Sequence, residues 1–175
     1  MADTFFPSNN TTFEIESKKN EKIIVHISGT PTVSSIDDFL RLMKNHGVTD
    51  TFCFCKLSYD PEITKKYCIN FHHLEFEDGK SPDEDTIKKF NILMAEIIRT
   101  AKIKNQVPNV NMHCQAGMGR APTFLAYLMI SKYDWNNSES VDHIRKLRRG
   151  SFNKTQLNWI IDLKLPKTKK QCVLM

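Results

Sequence analysis

Between Val110 and Lys132 the chain joins three patterns that together leave few folds open. A short strand, Val110 to His113, runs into a loop with two glycines, His113-Cys114-Gln115-Ala116-Gly117-Met118-Gly119-Arg120, and then into a near-continuous apolar helix from Pro122 to Lys132. Five residues separate Cys114 from Arg120, enough to wrap once around a tetrahedral anion. Gly117 and Gly119 can take backbone conformations closed to other residues, so that successive N–H groups turn inward as a nest. Arg120 can chelate two oxygens of the same anion in its planar fork, which a lysine cannot reproduce. The loop therefore reads as a phosphate-binding catalytic loop with Cys114 as nucleophile, His113 and Ala121 flanking it in support.

Pro122 suits a first helical turn, so the helix starts at the loop. Its positive end stabilises a bound phosphate and a thiolate alike. A strand, an anion loop and a helix in sequence belong to an α/β sheet, with the loop at the carboxyl end of a central strand.

The rest of the chain supplies the other layers. Phe13 to Ile15 and Ile23 to Ile27 predict two strands. Ile36, Phe39, Leu40 and Met43 recur at helical spacing behind Ser34 as cap, with Gly47 as the stop. Thr51 to Leu57 and Tyr67 to Phe71 predict two further strands. A helix begins at Ser81, with Pro82 at its first position and Glu84 completing a capping box, and carries an apolar stripe of Ile87, Phe90, Leu93, Met94, Ile97, Ile98 and Ala101. Two asparagines, 109 and 111, make the strand before Cys114 less apolar than a sheet covered on both faces usually allows. Helices are predicted over Ser138 to Arg148 and, capped by Asn153 with Gln156 at the third position, over Lys154 to Leu163. The expected fold is α/β: one domain over 13–165, a mostly parallel sheet with helices on both faces, preceded by a flexible leader over 1–12 and followed by a basic tail over 166–175.

A chain of 175 residues can bury a core without disulfides or a structural metal. Its five cysteines are an odd set without C-x-x-C spacing, which suggests neither a secreted disulfide framework nor a zinc site, and fits a reducing cytosol. No apolar run reaches membrane-spanning length, and the polar start does not resemble a signal peptide. The net charge of +5 is concentrated late, in Arg145 to Arg149 and in Lys164, Lys167, Lys169 and Lys170. No nucleic-acid motif accompanies it. Instead the last four residues, Cys172-Val173-Leu174-Met175, form a prenylation pattern in which Met favours farnesyl, and the upstream lysines add attraction to an anionic membrane surface, about 1 kcal/mol each.

Cysteine, five residues, arginine is the signature of cysteine-dependent phosphatases, and this chain resembles their PRL (phosphatase of regenerating liver), or type IVA, group. Thr30-Pro31-Thr32 matches that group's Asn-Pro-Thr segment, and Gly47-Val48-Thr49, Cys55 and Tyr59-Asp60 fall in step with its second strand. Phe76-Glu77-Asp78-Gly79 resembles its Phe-Asp-Asp-Gly loop, and Arg148 to Asn153 with Gln156-Leu157 its Arg-Arg-Gly-Ala-Phe-Asn and Gln-Leu positions. The likeness implies a metal-independent protein tyrosine or dual-specificity phosphatase without cofactor, in which Asp78 is the general acid. It implies Cys55 as a redox partner able to form a reversible disulfide with Cys114. Phosphoprotein or phosphoinositide substrates, CNNM-type magnesium transporters as partners and a homotrimer follow from the same likeness. So does a location on the cytoplasmic face of plasma and endosomal membranes, with a cytosolic pool when unprenylated.

Two departures carry consequences. Leu74 and Glu75 stand where the group has Trp-Pro, so the acid loop loses a rigid proline and an aromatic anchor, and Glu75 and Glu77 add negative charge, each either substituting as an acid or facing water. Ala121, as in the PRL group, replaces the Ser or Thr that in most related enzymes helps the cysteine sulfur leave the phosphoenzyme. Slow phosphocysteine breakdown is the expected result.

Overall fold

The computed structural model describes residues 10–165. Five strands, β1 Thr11–Glu16, β2 Lys22–Gly29, β3 Asp50–Cys53, β4 Asn70–His73 and β5 Asn109–Cys114, form one sheet in the order β1-β2-β5-β3-β4. Only β1 against β2 is antiparallel; β5 lies at the centre, parallel to both β2 and β3. Helices α1 Ile36–Asn45, α2 Glu84–Ile103, α3 Arg120–Lys132, α4 Asn137–Leu147 and α5 Lys154–Asp162 complete the α/β fold. None of the described helices is long and apolar enough to cross a membrane.

Two buried clusters hold the layers together. The larger joins Phe13, Val25, Phe52 and Met112 of the strands to Phe90 and Met94 of α2, Phe124 of α3, Ile144 of α4 and Ile160 of α5. The smaller packs Ile36, Phe39, Leu40 and Met43 of α1 against Val48, Tyr59 and Ile69. Strand alternation explains the asparagines of β5. Val110 and Met112 join the larger core, while the intervening residues form a buried polar ladder. Asn111 accepts from the Thr51 hydroxyl at 2.7 Å and donates to the His26 carbonyl at 3.0 Å. Asn109 donates to the His46 carbonyl at 2.8 Å. The two asparagines of β5 are thus matched by hydrogen bonds, as burial requires.

The boundaries differ from the sequence expectations in informative ways. β1 begins at Thr11, inside the stretch read as leader, because Thr11 pairs with Ile27 and its hydroxyl accepts from Arg148. β3 stops at Cys53 rather than Leu57. The segment Pro61–Tyr67, part of it read as strand, is a 3-10 helix whose cap, Asp60, accepts from the Glu62 N–H; β4 starts only at Asn70. The cap of α1 is Ser35, not Ser34. The cap of α2 is Asp83, not Ser81, because the Asp83 carboxylate reaches the Thr86 N–H at 2.7 Å; Glu84 is then the first helical residue and no capping box forms there. The Asn153–Gln156 capping box of α5 is formed as expected. Cys172 and the lysines from Lys167 onward lie outside the described residues.

His26 sits in the polar ladder with both ring nitrogens engaged. Asn109 spends its amide on His46, so its Oδ1 faces His26 and accepts from Nε2–H at 3.0 Å, leaving Nδ1 to accept from the Thr12 hydroxyl at 2.9 Å. Burial, with His46 adding to it and the Asn109 bond opposing, lowers the His26 pKa to about 4. The unfolded chain takes up this proton near pH 6.5 and the folded chain only near 4, so stability is intact above 6.5 and is lost as the pH falls through that window. Urea unfolding should show a loss of about 2 kcal/mol from pH 7 to pH 5. His26→Gln should remove most of that dependence; an equal pH slope in both proteins would rule His26 out as its source.

Candidate active site

Cys114 is the last residue of β5, buried at 3% exposure, and Arg120 is the first residue of α3, with Gly119 as its cap. What shapes the loop between them is the fate of its carbonyls. Gln115 O accepts from Thr30 N–H at 3.3 Å, Met118 O from Phe152 N–H at 2.9 Å, and Gly119 O from Thr123 N–H at 3.0 Å and its hydroxyl at 2.8 Å. Arg148 takes the two between: its Nε donates to Gly117 O at 2.6 Å and its Nη2 reaches Ala116 O at 3.5 Å. Every carbonyl from 115 to 119 is drawn outward into protein. In a trans peptide the N–H of the next residue points the opposite way, so the amides of 116 to 120 face the cleft. This is the nest expected from the sequence.

Gly117 is required twice over. Its φ is +68°, and a Cβ there would come within 2.6 Å of the Ser28 carbonyl carbon and oxygen at the end of β2. Gly119 faces Gln156, whose amide would stand 3.0 Å from a Cβ. The cleft above the loop holds about 360 Å³ and is lined by residues 114–116 and 118–120, Asp78, Gly79, Gly150, Phe152, Asn153 and Gln156. A larger groove of about 710 Å³ lies at the amino ends of the strands, near Asp50 and Lys104, and contains none of the loop residues.

Arg120 is buried at 6% exposure and oriented by the acid loop: Nη1 donates to Phe76 O at 3.2 Å, and Nε stands 3.1 Å from an Asp78 carboxylate oxygen. The second contact is a charge pair without hydrogen-bond alignment. Asp78 itself is largely exposed, at the mouth of the cleft. Glu75 and Glu77 do not line the cleft; Glu75 lies 3.6 Å from His73. The loss of Trp-Pro is met by other anchors. Leu74 and Phe76 are both buried, and Phe76 packs edge-on against Phe54 and Phe124.

The supporting residues are placed as follows. Ala121 is fully buried, and the neighbouring Thr123 hydroxyl is committed to Gly119 O. His113, also fully buried, has Nε2 3.0 Å from the Tyr59 hydroxyl. Cys55 is a buried thiol in the same core as Cys114, and its sulfur lies 3.9 Å from that of Cys53. Arg148, which the sequence marks only by its Arg-Arg-Gly context, joins the site through the fold. It is buried, and burial lowers its pKa while the nearby Cys114 opposes that shift.

A central parallel strand ending in a buried cysteine, an amide nest and a chelating arginine at a helix start define a cysteine-dependent phosphatase. Residues 33–164 match the dual specificity phosphatase catalytic domain, and the chain belongs to that family. It is 26% identical to protein tyrosine phosphatase PRL-1 of Leishmania major, over 91% of this chain and 94% of that one. It is 29% identical to mouse protein tyrosine phosphatase type IVA 2, over 84% and 83% respectively. Among solved structures, a protein tyrosine phosphatase from Leishmania major superposes with a TM-score of 0.82 at 24% identity, covering 90% of this chain and 99% of that one. The chain is thus a protein phosphatase resembling the PRL, or type IVA, enzymes.

Gly117→Ala should cost the enzyme its site, since the new Cβ must displace the end of β2 or untwist the nest. The expected outcome is a fall in kcat/KM of about a hundredfold or more, the scale set by loss of a preorganised donor array. Steady-state kinetics on an aryl phosphate checks this, and near-normal activity would show that the nest is not what binds phosphate.

Proposed function

We propose that the enzyme hydrolyses phosphate monoesters of proteins through a phosphocysteine on Cys114 that breaks down slowly. The observation that carries this reading is the outward commitment of all five loop carbonyls around a buried cysteine. The inward amides and Arg120 bind the three non-bridging oxygens, and the Cys114 thiolate attacks phosphorus in line with the leaving oxygen. Asp78, at the cleft mouth, donates the proton that the leaving oxygen needs. In the second step the same carboxylate accepts a proton from water as water attacks phosphorus and the sulfur departs. Departure is the slow step, because Ala121 brings no hydroxyl to the sulfur and the Thr123 hydroxyl is bound elsewhere.

The reading extends to the tail: a prenyl group on Cys172 with the lysines before it holds the enzyme at an anionic membrane surface, where one lipid chain alone binds only marginally. Intact-protein mass spectrometry tests both parts. After mixing with a phosphate ester, a phosphate adduct should appear on Cys114 and outlive mixing. Ala121→Ser should shorten its lifetime by about tenfold, the scale of one hydrogen bond to a charged leaving group. Equal lifetimes, or no adduct, count against slow breakdown. Protein isolated from its own cells should carry a prenyl mass at Cys172, and an unmodified cysteine there removes the tether.

A second reading is favoured by the Asp78 to Arg120 pair, since the guanidinium already receives a carboxylate at 3.1 Å. An acidic loop of a partner, such as a CNNM-type magnesium transporter, can use the cleft in place of phosphate. Asp78→Asn removes the competing carboxylate and should tighten binding of that partner's acidic peptide several-fold in calorimetry, whereas Arg120→Met should abolish it. Affinity indifferent to both changes would discard this reading.

A further inference from the structure

The end of β3 carries two thiols that the phosphatase reaction does not use, packed beside His113 of β5. Cys53 closes the strand and lies in register with His113 of β5. Phe54 turns into the aromatic core, stacked on Phe124 at 4.4 Å, and Cys55 follows it. Both thiols are buried at 1% exposure, with their sulfurs 3.9 Å apart. A ring nitrogen of His113 and the two sulfurs lie within 4.8 Å of one another. Nε2 of that ring meets Tyr59, while Nδ1 is buried and has no hydrogen-bond partner among the described residues. A buried polar atom in that state asks for an explanation.

We infer that Cys53, Cys55 and Nδ1 of His113 form a binding site for one zinc ion. Two Zn–S bonds of about 2.3 Å at a tetrahedral angle place the sulfurs about 3.8 Å apart, close to what the two thiols already adopt. A Zn–N bond of about 2.0 Å brings sulfur and nitrogen to about 3.5 Å, so a ring nitrogen at the 4.8 Å limit closes by up to about 1.3 Å. The other ring nitrogen is already arranged as such a ligand requires: Nε2–H donating to the Tyr59 oxygen orients the ring and leaves the Nδ1 lone pair for the metal.

Zinc binding releases the protons of both thiols. Three protein ligands leave the fourth position to water. The ion ties β3 to β5 one residue before the nucleophile and sets a positive charge behind Cys114. The site stands whichever substrate or partner uses the phosphate cleft.

The test uses the reduced full-length chain carrying Cys68→Ser and Cys172→Ser, which removes thiols outside the cluster. Equilibrated with zinc chloride and desalted, it should retain one zinc per chain by elemental mass spectrometry. Cys114→Ser should leave that stoichiometry unchanged, and Cys53→Val should reduce it to about a tenth or less. Cobalt(II) should give a sulfur-to-metal charge-transfer band that Cys53→Val abolishes. Should that variant fail to fold, zinc protection of Cys53 and Cys55 from alkylation in the otherwise unaltered protein decides the matter by peptide mapping. No retained zinc, unprotected thiols, or zinc that is lost with Cys114→Ser but kept with Cys53→Val would overturn the inference; the last result would place the ion on the catalytic sulfur.

Discussion

The catalytic loop depends on where its carbonyls go. A loop that binds phosphate with its amides must leave its carbonyls to the protein, and a buried carbonyl without a donor costs free energy comparable to a lost hydrogen bond. Here the donors come from places far apart in sequence: Thr30 after β2, Arg148 after α4, Phe152 before α5 and Thr123 within α3. Arg148 is the most consequential of them, because one side chain serves two successive carbonyls and also grips Thr11 of β1. The nest is therefore a property of the whole domain. Its shape follows from the packing of α4 and α5 against α3 as much as from its own glycines.

The acid loop shows how a charged site is held ready without its ligand. Arg120 is almost fully buried, so its charge needs partners when no phosphate is bound. Phe76 supplies a carbonyl and Asp78 a carboxylate. Because Asp78 touches Arg120 from an exposed position, an arriving anion can displace it at little cost. Anchoring of the same loop by Leu74 and Phe76 limits how far it can swing. The aromatic group formed by Phe52, Phe54, Phe76, Phe90 and Phe124 links that anchor to the helix that starts at Arg120.

The polar ladder on the other face of β5 carries a second lesson about the sheet. His26, Ser28, Asn109, Asn111, Thr51 and His113 are all buried, yet the amides, hydroxyls and carbonyls that face one another are paired across three parallel strands. Such pairs penalise a register slip, since shifting one strand by a residue would strand several polar groups at once. The ladder ends at His113 and Tyr59, directly before Cys114, so Cys114 sits at the junction of the polar face and the apolar core.

Much of this was legible in the chain itself. The Cys114 to Arg120 spacing, the glycines, a helix that starts at the loop with Pro122 in its first turn, the Asn153 cap with Gln156 and the apolar stripe of α2 are local patterns, and local stereochemistry determines them. So does the α/β class, because strand, loop and helix follow one another without interruption. Much of what sequence did not settle was decided by contacts between distant residues: the early end of β3, the burial of the two asparagines and the role of Arg148 each depend on a partner many positions away. The 3-10 turn from Pro61 and the preference for Asp83 over Ser81 as a cap rest instead on short-range bonds, between Asp60 and Glu62 and between Asp83 and Thr86, that outcompete other local choices. A single chain states its periodicities and its turn chemistry directly. Which carbonyl meets which donor is settled only when the layers close, since hydrogen bonds and burial are paid in three dimensions and not along the backbone.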